Sequence, residues 1–331
     1  MTFELNNFHQ LPAELSPQVV PFPTRFARDV IRGLTSPQKM LPSMYLYDAV
    51  GSMLFESICQ LDVYHCTRAE KEILQSHAAE LAALLPSDVE VAELGGGSGE
   101  KAAIVLSKFG SVRFHNIDIS AKAVELAQRS LSQYPNIEYN GYCNDLLDGA
   151  AQVARSRSPE GPLLVLFLGS SIGNFDRARA AELITGIRRY MRPNDYLLLG
   201  TDLVKPVPQL LLAYDDPAGV TAAFNKNVLV RINRELGADF HVGWFKHEAR
   251  WNSEHRRIEM HLVSARDHGV TIPNPFSRIA FRAGESIHTE NSHKYVASEI
   301  GDWAKSLQFE MVAQWCDAQG LFATSLLRAG S

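Results

Sequence analysis

The stretch Glu90 to Lys101, EVAELGGGSGEK, narrows the possible folds of this chain more than any other segment. A β-rich run, VEVAEL, meets four glycines within five residues (Gly95, Gly96, Gly97 and Gly99), and the helix-forming KAAIVLSKF follows at once. That order describes a strand ending in a tight turn that opens directly into a helix. Glycines there let backbone N–H groups approach a ligand closely, at a helix N-terminus that favours anionic groups. A Gly-rich strand-to-helix turn with no ligand is the alternative reading of these residues alone.

The segments on either side repeat the theme. After VEVAEL come VRFHNID, IEYNGYC, LLVLFLG and YLLLGTD, each separated from the next by a stretch of helical length such as SAKAVELAQRSL or DRARAAELITGIRRYM. Strand and helix in alternation predict a parallel α/β sheet with helices on both faces. Before it, up to about residue 86, the chain reads as helical after a Pro-containing lead-in at Pro21 and Pro23; Ile73, Leu74, Ala78, Leu81, Leu84 and Leu85 form one apolar stripe. After Leu203 the pattern breaks at LVKPVPQLL, and a helical stretch around Ala213 to Leu236 leads into strand-like segments from His241 to Phe281. This predicts a unit inserted into the parent sheet. The parent resumes with a helix near Val296 to Leu307, the strand FEMVAQWCD, a turn at Ala318 to Gly320 and the strand FATSLLRA. A closing hairpin on a mostly parallel sheet is how class I methyltransferase folds end. The fold expected is therefore α/β, a Rossmann-like sheet with a terminal antiparallel hairpin and a second, inserted α+β domain, for which the family resemblance given below implies substrate binding. Its boundaries are residues 1–65 for an N-terminal helical segment joining the inserted domain, 66–204 and 291–331 for the sheet domain, and 205–290 for the insert.

Composition excludes several function classes. With 331 residues, 46% of them hydrophobic, the chain can bury a large core without disulfide or metal staples. Lys plus Arg number 32 against 37 Asp plus Glu, a formal charge of −5, and no basic stripe is present, so a nucleic-acid partner is not expected. Cys59, Cys66, Cys143 and Cys316 form no CxxC pair, the start MTFELNNFHQ has no signal-peptide pattern, and the longest apolar run, Leu163 to Leu168, is far too short to span a membrane. A soluble, cytoplasmic protein that works as a monomer, with no membrane partner, is the expectation.

The turn itself weighs against a dinucleotide site. Counting Gly-x-Gly-x-x-Gly from Gly95 and Gly97 puts the third position on Glu100. Asp118, at the end of the second strand, lies 23 residues after Gly95, where a carboxylate can accept from both ribose hydroxyls of NAD or S-adenosylmethionine (SAM). Asp145, at the end of the third, can accept from an adenine amino group while Leu146 packs on the ring; both acids could equally be helix caps. Asn174, in GSSIGN just past the buried strand LLVLFLG, projects from a rigid strand end into the crevice. Glu290 and Ser292 alternate along TENSH and face one side if that segment is a strand, and a carboxylate plus a hydroxyl can satisfy both nitrogens of an imidazole. His288 and His293 flank them at odd separation, which points them to opposite faces, so no metal site is expected. Cys66 is read as a packing residue.

The blocks LYDAVGSMLFE, YHCTRAE, ELGGGSGEK, FLGSSIGNF, LLLGTDLVK, AYDDPAGVTAAFNKNVL, WNSEHRRIEM and TENSHKY, spread along nearly the whole chain, resemble the L-histidine Nα-methyltransferases of ergothioneine biosynthesis. The resemblance implies a SAM-dependent enzyme with no metal that converts L-histidine stepwise to its Nα,Nα,Nα-trimethyl form. It implies that Gly95, Lys101, Asp118, Asp145 and Gly169 hold the donor, with Lys101 near its carboxylate; Leu146 stands where the family commonly has an aromatic over the adenine. It further implies that Asn174 and Tyr214 grip the carboxylate and amine end of histidine and that Glu290 and Ser292 hydrogen-bond the imidazole. Met260, Tyr64 and Tyr47 complete the pocket, with Tyr64 and Asn174 nearest the chemistry. Similar fungal enzymes act on a tryptophan derivative, which keeps another amino acid open as the substrate. An NAD-dependent oxidoreductase and a catalytically silent donor-binding module are the readings from other classes.

Overall fold

The computed structural model describes residues 24–330; the Pro21 and Pro23 lead-in lies outside them. Three helices come first, α1 (Arg25–Leu34), α2 (Ala49–Cys59) and α3 (Cys66–Ala83). The alternating stretch then forms β1 (Glu90–Leu94), α4 (Glu100–Leu106), β2 (Val112–Asp118), α5 (Ala121–Leu131), β3 (Ile137–Cys143), α6 (Leu146–Ser156), β4 (Leu163–Phe167), α7 (Arg177–Arg188) and β5 (Tyr196–Asp202). The insert contributes α8 (Val207–Tyr214), α9 (Val220–Leu236), β6 (Phe245–Asn252), β7 (Arg257–Ser264), β8 (His268–Pro273), β9 (Phe276–Phe281) and β10 (Ser286–His293). The chain closes with α10 (Ala297–Ser306), β11 (Phe309–Cys316) and β12 (Phe322–Ala329).

The main sheet has seven strands in the order β11-β12-β5-β4-β1-β2-β3. β1 to β5 run parallel, while β12 pairs antiparallel with both β5 and β11. This is the expected class I methyltransferase sheet with its terminal hairpin. β1, β4 and β5 are buried at every position, as strands covered on both faces must be. Their C-terminal ends form one edge, where β1 and its neighbours diverge, the usual position for a ligand crevice in an open α/β sheet.

The insert builds a separate antiparallel sheet, β10-β7-β6, and a two-stranded β8-β9 hairpin. The helical stretch expected over Ala213 to Leu236 starts at Val220, as α9, and the segment LVKPVPQLL expected to be a break instead carries most of α8, which ends at Tyr214. Asp216 accepts from the N–H groups of Val220 and Thr221 at 3.0 and 2.7 Å, and Gly219 takes φ +75°, so the carboxylate starts a new helix after a sharp turn. The boundary expected between residues 290 and 291 falls inside β10. The strand continues to His293 because Asn291, Ser292 and His293 pair with Glu259, Ile258 and Arg257 of β7, which keeps Ser292 on the same sheet as Glu290.

The N-terminal helices join the insert through polar clamps. Asp48 caps α2 at the Gly51 N–H and also takes Asn227 at 2.7 Å and Arg234 at 2.6 Å from α9. Residues 39–41 run beside β10, with Leu41 N–H donating to the His288 carbonyl and His288 N–H to that of Lys39. The insert and the main sheet meet where Tyr295 N–H donates to the Asp202 carbonyl at 2.8 Å. Leu198, at the centre of β5, is fully buried. Leu198→Ala is expected to lower the unfolding free energy by about 2–5 kcal/mol, read from the midpoint of a urea denaturation curve.

Candidate active site

Every residue that the sequence reading assigned to the donor or the substrate lines one cavity of about 1230 Å³ between the C-terminal edge of the main sheet and the inserted sheet. That volume exceeds the range usual for a single small ligand, and its two ends differ in chemistry.

At the end under β1 to β3, Gly95 and Gly97 adopt φ of +72° and +53°, and a side chain added at either would meet no protein atom within 4 Å. The turn thus presents bare backbone to open space. Asp118 accepts from Gly97 N–H at 3.0 Å and Ser120 N–H at 2.8 Å; burial raises its carboxyl against those bonds, a penalty that paired ribose hydroxyls would relieve. Asp145 caps α6 by accepting from Asp148 N–H at 3.0 Å, and Leu146 begins that helix on the cavity wall. The donor set of a nucleoside-bearing ligand is therefore present: a bare glycine turn, a carboxylate at each of two successive strand ends, and an apolar face.

Lys101 is not free. Its ammonium pairs with Glu70 of α3 at 2.7 Å, and although burial opposes its charge, Glu70 holds its pKa above the ordinary value. Glu70 also accepts from Gly169 N–H through both oxygens, at 2.9 and 2.8 Å. One buried carboxylate therefore ties α3, α4 and the β4 turn together. Sequence reading missed Glu70, although an acid beside Ala69, Ile73 and Leu74 on an apolar helical stripe is a visible anomaly.

At the other end the walls are aromatic. Tyr47, Phe55, Tyr64 and Tyr214 follow one another with ring centroids 5.5, 6.3 and 6.0 Å apart, each pair edge-on. Phe55 was not anticipated; its context, LFES, looks like ordinary helix core. Burial pushes the Tyr64 and Tyr47 hydroxyls well above the usual phenol range, so both remain neutral. Neither the Tyr64 hydroxyl nor the Asn174 amide has a hydrogen-bond partner among the described residues, and both border the cavity. Asn174 ends a short 3-10 turn, Ser171–Asn174, that rests directly on β10. A side chain at Gly173 would stand 2.9 Å from the His293 carbonyl, so only glycine permits that approach.

Glu290 and Ser292 border the cavity on β10 together with their neighbours His288, Thr289 and Asn291, past a bulge between His288 and Glu290. Burial pushes the Glu290 carboxyl up to about 8, against the pull of Tyr47 and Lys294; the Tyr47 hydroxyl donates to it at 3.4 Å. Met260, opposite Glu290 on β7, completes the floor. Tyr214 and Ser292, which the resemblance assigns to opposite ends of a substrate, touch: their hydroxyl oxygens are 2.6 Å apart.

Among the described residues two clusters have metal-ligand residue types, and neither offers an open site. Glu259 is held by Arg257 at 2.6 Å, and the rings of its neighbours His261 and His288 stack 4.9 Å apart, so their in-plane lone pairs do not converge. His65 and Asp202 already share the Lys205 ammonium. His293 instead bonds the Gly173 carbonyl at 3.0 Å. Cys66 is buried and its thiol is pushed up to about 12 by burial and Asp202, which suits packing and not nucleophilic attack.

Residues 26–329 match the family described as histidine-specific methyltransferase, SAM-dependent. Histidine N-alpha-methyltransferase of Mycobacterium tuberculosis is 41% identical over 304 residues, covering 90% of this chain and 93% of the relative. The protein of the same name from Mycolicibacterium smegmatis is 40% identical over the same shares of both chains. Ergothioneine biosynthesis protein 1 of Neurospora crassa is 28% identical over 84% of this chain and 32% of its own length.

The geometry around Asp118 generates a direct test. Asp118→Ala removes the carboxylate that faces the glycine turn, and the affinity for S-adenosylhomocysteine is expected to fall roughly tenfold or more. Isothermal calorimetry checks it, and unchanged affinity would remove Asp118 from the donor site.

Proposed function

Because this chain belongs to the histidine-specific, SAM-dependent methyltransferase family, we propose that it methylates the α-nitrogen of L-histidine repeatedly, ending at Nα,Nα,Nα-trimethyl-L-histidine (hercynine), the first step of ergothioneine biosynthesis. The enzyme is a SAM-dependent N-methyltransferase. What supports the complete reaction is one observation: the Glu290 and Ser292 pair shares a cavity with the glycine turn and Asp118, and an aromatic lining lies between them.

SAM, when bound, supplies an electrophilic methyl group on a sulfonium. The chain's own residues then have to aim a neutral amine along the line of displacement, and positioning dominates such a step. In this reading Gly95, Gly169, Lys101, Asp118, Asp145 and Leu146 hold the donor. Asn174 holds the carboxylate and amine end of histidine and Glu290 and Ser292 its ring, while Tyr214, whose hydroxyl is engaged by Ser292 and Lys294, offers its ring face. The unpartnered Tyr64 hydroxyl and Asn174 amide stand at the wall where the amine would sit. Tyr64 stays neutral, so it accepts a hydrogen bond from the ammonium without serving as a strong base; the proton leaves through solvent in the cavity. Tyr47, Phe55, Tyr64 and Tyr214 offer ring surface to an amine that grows into a quaternary cation, an arrangement suited to choline-like groups. It also tolerates successive methyl groups, because no tight cage of hydrogen bonds surrounds that position.

Among the described residues no helix is long and apolar enough to cross a membrane, and the four cysteines are free, which supports a reducing, cytoplasmic setting.

Incubation of the protein with L-histidine and SAM is expected to yield the mono-, di- and trimethyl products in succession by mass spectrometry. Turnover of other amino acids with histidine left untouched would overturn the substrate reading. A pH dependence follows from Glu290. Its carboxyl is pushed up to about 8, so the free enzyme holds it largely protonated below that pH. The ionised carboxylate accepts an imidazole N–H much more strongly than the protonated form, which keeps only its carbonyl oxygen as a good acceptor. The kcat/KM for histidine is therefore expected to rise with pH through the region of 8, and Glu290→Gln should lose this component while keeping any rise due to the substrate's own amine.

A further inference from the structure

Behind the imidazole end of the cavity lies a fully buried lysine that the reading so far leaves unused. Lys294, the residue after β10, is 0% exposed. Its three N–H donors meet three acceptors: Asp202 at 2.6 Å, Ser292 Oγ at 2.7 Å and Tyr214 Oη at 3.0 Å. The burial of a lone ammonium would be prohibitive; Asp202, at the end of β5, removes that obstacle. Asp202 is itself shared with Lys205 and His65, so one carboxylate faces two lysines at this point in the core.

Hydrogen counting settles what the wall can offer. An ammonium only donates, so Ser292 and Tyr214 each accept from Lys294. Their oxygens are 2.6 Å apart, so one of the two hydroxyls donates to the other. A single O–H hydrogen is left over, with no acceptor among the described residues, and both residues border the cavity. If Tyr214 donates to Ser292, both lone pairs of Ser292 are filled and its own hydrogen faces the cavity. The reverse direction would leave a Ser292 lone pair open beside the phenol hydrogen, but the phenol is the more acidic hydroxyl and its bond from Lys294 makes it more so, so Tyr214 donates and Ser292 presents the hydrogen. Without Lys294 the same pair could present either a hydrogen or a lone pair.

We propose that Lys294 is a specificity-determining positioning residue: by donating to both hydroxyls it turns the Tyr214–Ser292 pair into a hydrogen-bond donor toward the cavity, and so selects a substrate ring with an unprotonated nitrogen. This rests on the reading of that end of the cavity as the imidazole site. The ring then meets complementary walls. The leftover O–H donates to the bare nitrogen, and Glu290 accepts from the N–H. A ring protonated at both nitrogens would set N–H against O–H, with the Lys294 charge directly behind.

The test uses amino acids that separate the two walls. L-3-(4-Thiazolyl)alanine has a ring nitrogen acceptor and no N–H, and L-phenylalanine has neither. For the wild-type enzyme, kcat/KM for the thiazole is expected to exceed that for phenylalanine by roughly ten- to a hundredfold, the cost of leaving the buried O–H unpaired against a ring with no acceptor. Lys294→Met retains the side-chain volume and leaves Asp202 paired with Lys205, and it is expected to cut that ratio by about tenfold, with calorimetric affinity for S-adenosylhomocysteine unchanged. Lys294→Arg, which keeps a donating cation, is expected to preserve most of the ratio. A wild-type ratio near one overturns the proposal without any variant, as does a Lys294→Met enzyme that binds the donor and keeps the full ratio. Failure of the wild-type enzyme to methylate histidine would instead overturn the imidazole reading on which the proposal rests.

Discussion

The carboxylate of Asp202 is the point on which the arrangement of this protein depends. It ends β5, the strand joining the parallel part of the main sheet to the closing hairpin, and it is completely buried. Burial alone would raise its pKa, yet Lys294, His65 and Lys205 hold it well below the usual carboxylate range. Those partners come from three places: the chain leaving β10, the turn before α3 and the entry to the insert. Removing one member of such a buried pair typically costs about 3–5 kcal/mol, because it strands the other charge. Backbone pairing reinforces the junction, with Leu203 and Tyr295 forming a parallel bridge. The inserted sheet is thereby registered against the main sheet at the edge where the cavity opens, and the distance between its two ends follows from this register.

A second carboxylate performs the corresponding task on the donor side. Glu70 joins α3, Lys101 and the Gly169 turn, so the helix that carries it also links the donor end to the first helices of the chain. Between these two ionic anchors the cavity wall carries the aromatic run Tyr47, Phe55, Tyr64 and Tyr214. The division is physically coherent for the proposed chemistry: charges that fix the scaffold are paired and buried behind the wall, while the surface facing the reacting nitrogen consists of ring faces and neutral oxygens. The Tyr64 hydroxyl and the Asn174 amide are left available because the fold gives them no partner, in contrast to Tyr214, whose hydroxyl is engaged by Ser292 and Lys294.

Much of this was legible in the chain. Alternating β-rich and helical stretches, the glycine turn and the terminal hairpin specify the main sheet, because each is a local pattern with a local cause. Asp118, Asp145 and Asn174 could be placed in the crevice for the same reason: each sits at a strand end, and strand ends of a parallel sheet share an edge. Glu290 and Ser292 share a face by the two-residue period of a strand. The assignment of Tyr64, Tyr214 and Met260 came from the family resemblance alone, since a tyrosine or methionine in an apolar context carries no mark distinguishing pocket from core.

What only the tertiary structure decided are the pairings between residues far apart in sequence. Lys101 with Glu70, Asp202 with Lys294, and Tyr214 with Ser292 join elements whose relative placement depends on packing the inserted sheet against the main one. A charged residue in isolation reads as a solvated surface group, and only its partner reveals that it is buried. The break between α8 and α9 and the extension of β10 through His293 belong to the same class: a capping carboxylate and a neighbouring strand settle each of them, and neither effect is visible in the periodicity of the segment itself. The sequence by itself determined which strand-end residues reach the cavity edge, because strand and helix periods are local. The fold decided what those residues touch there, because electrostatic and hydrogen-bond complementarity is a property of pairs brought together across the chain.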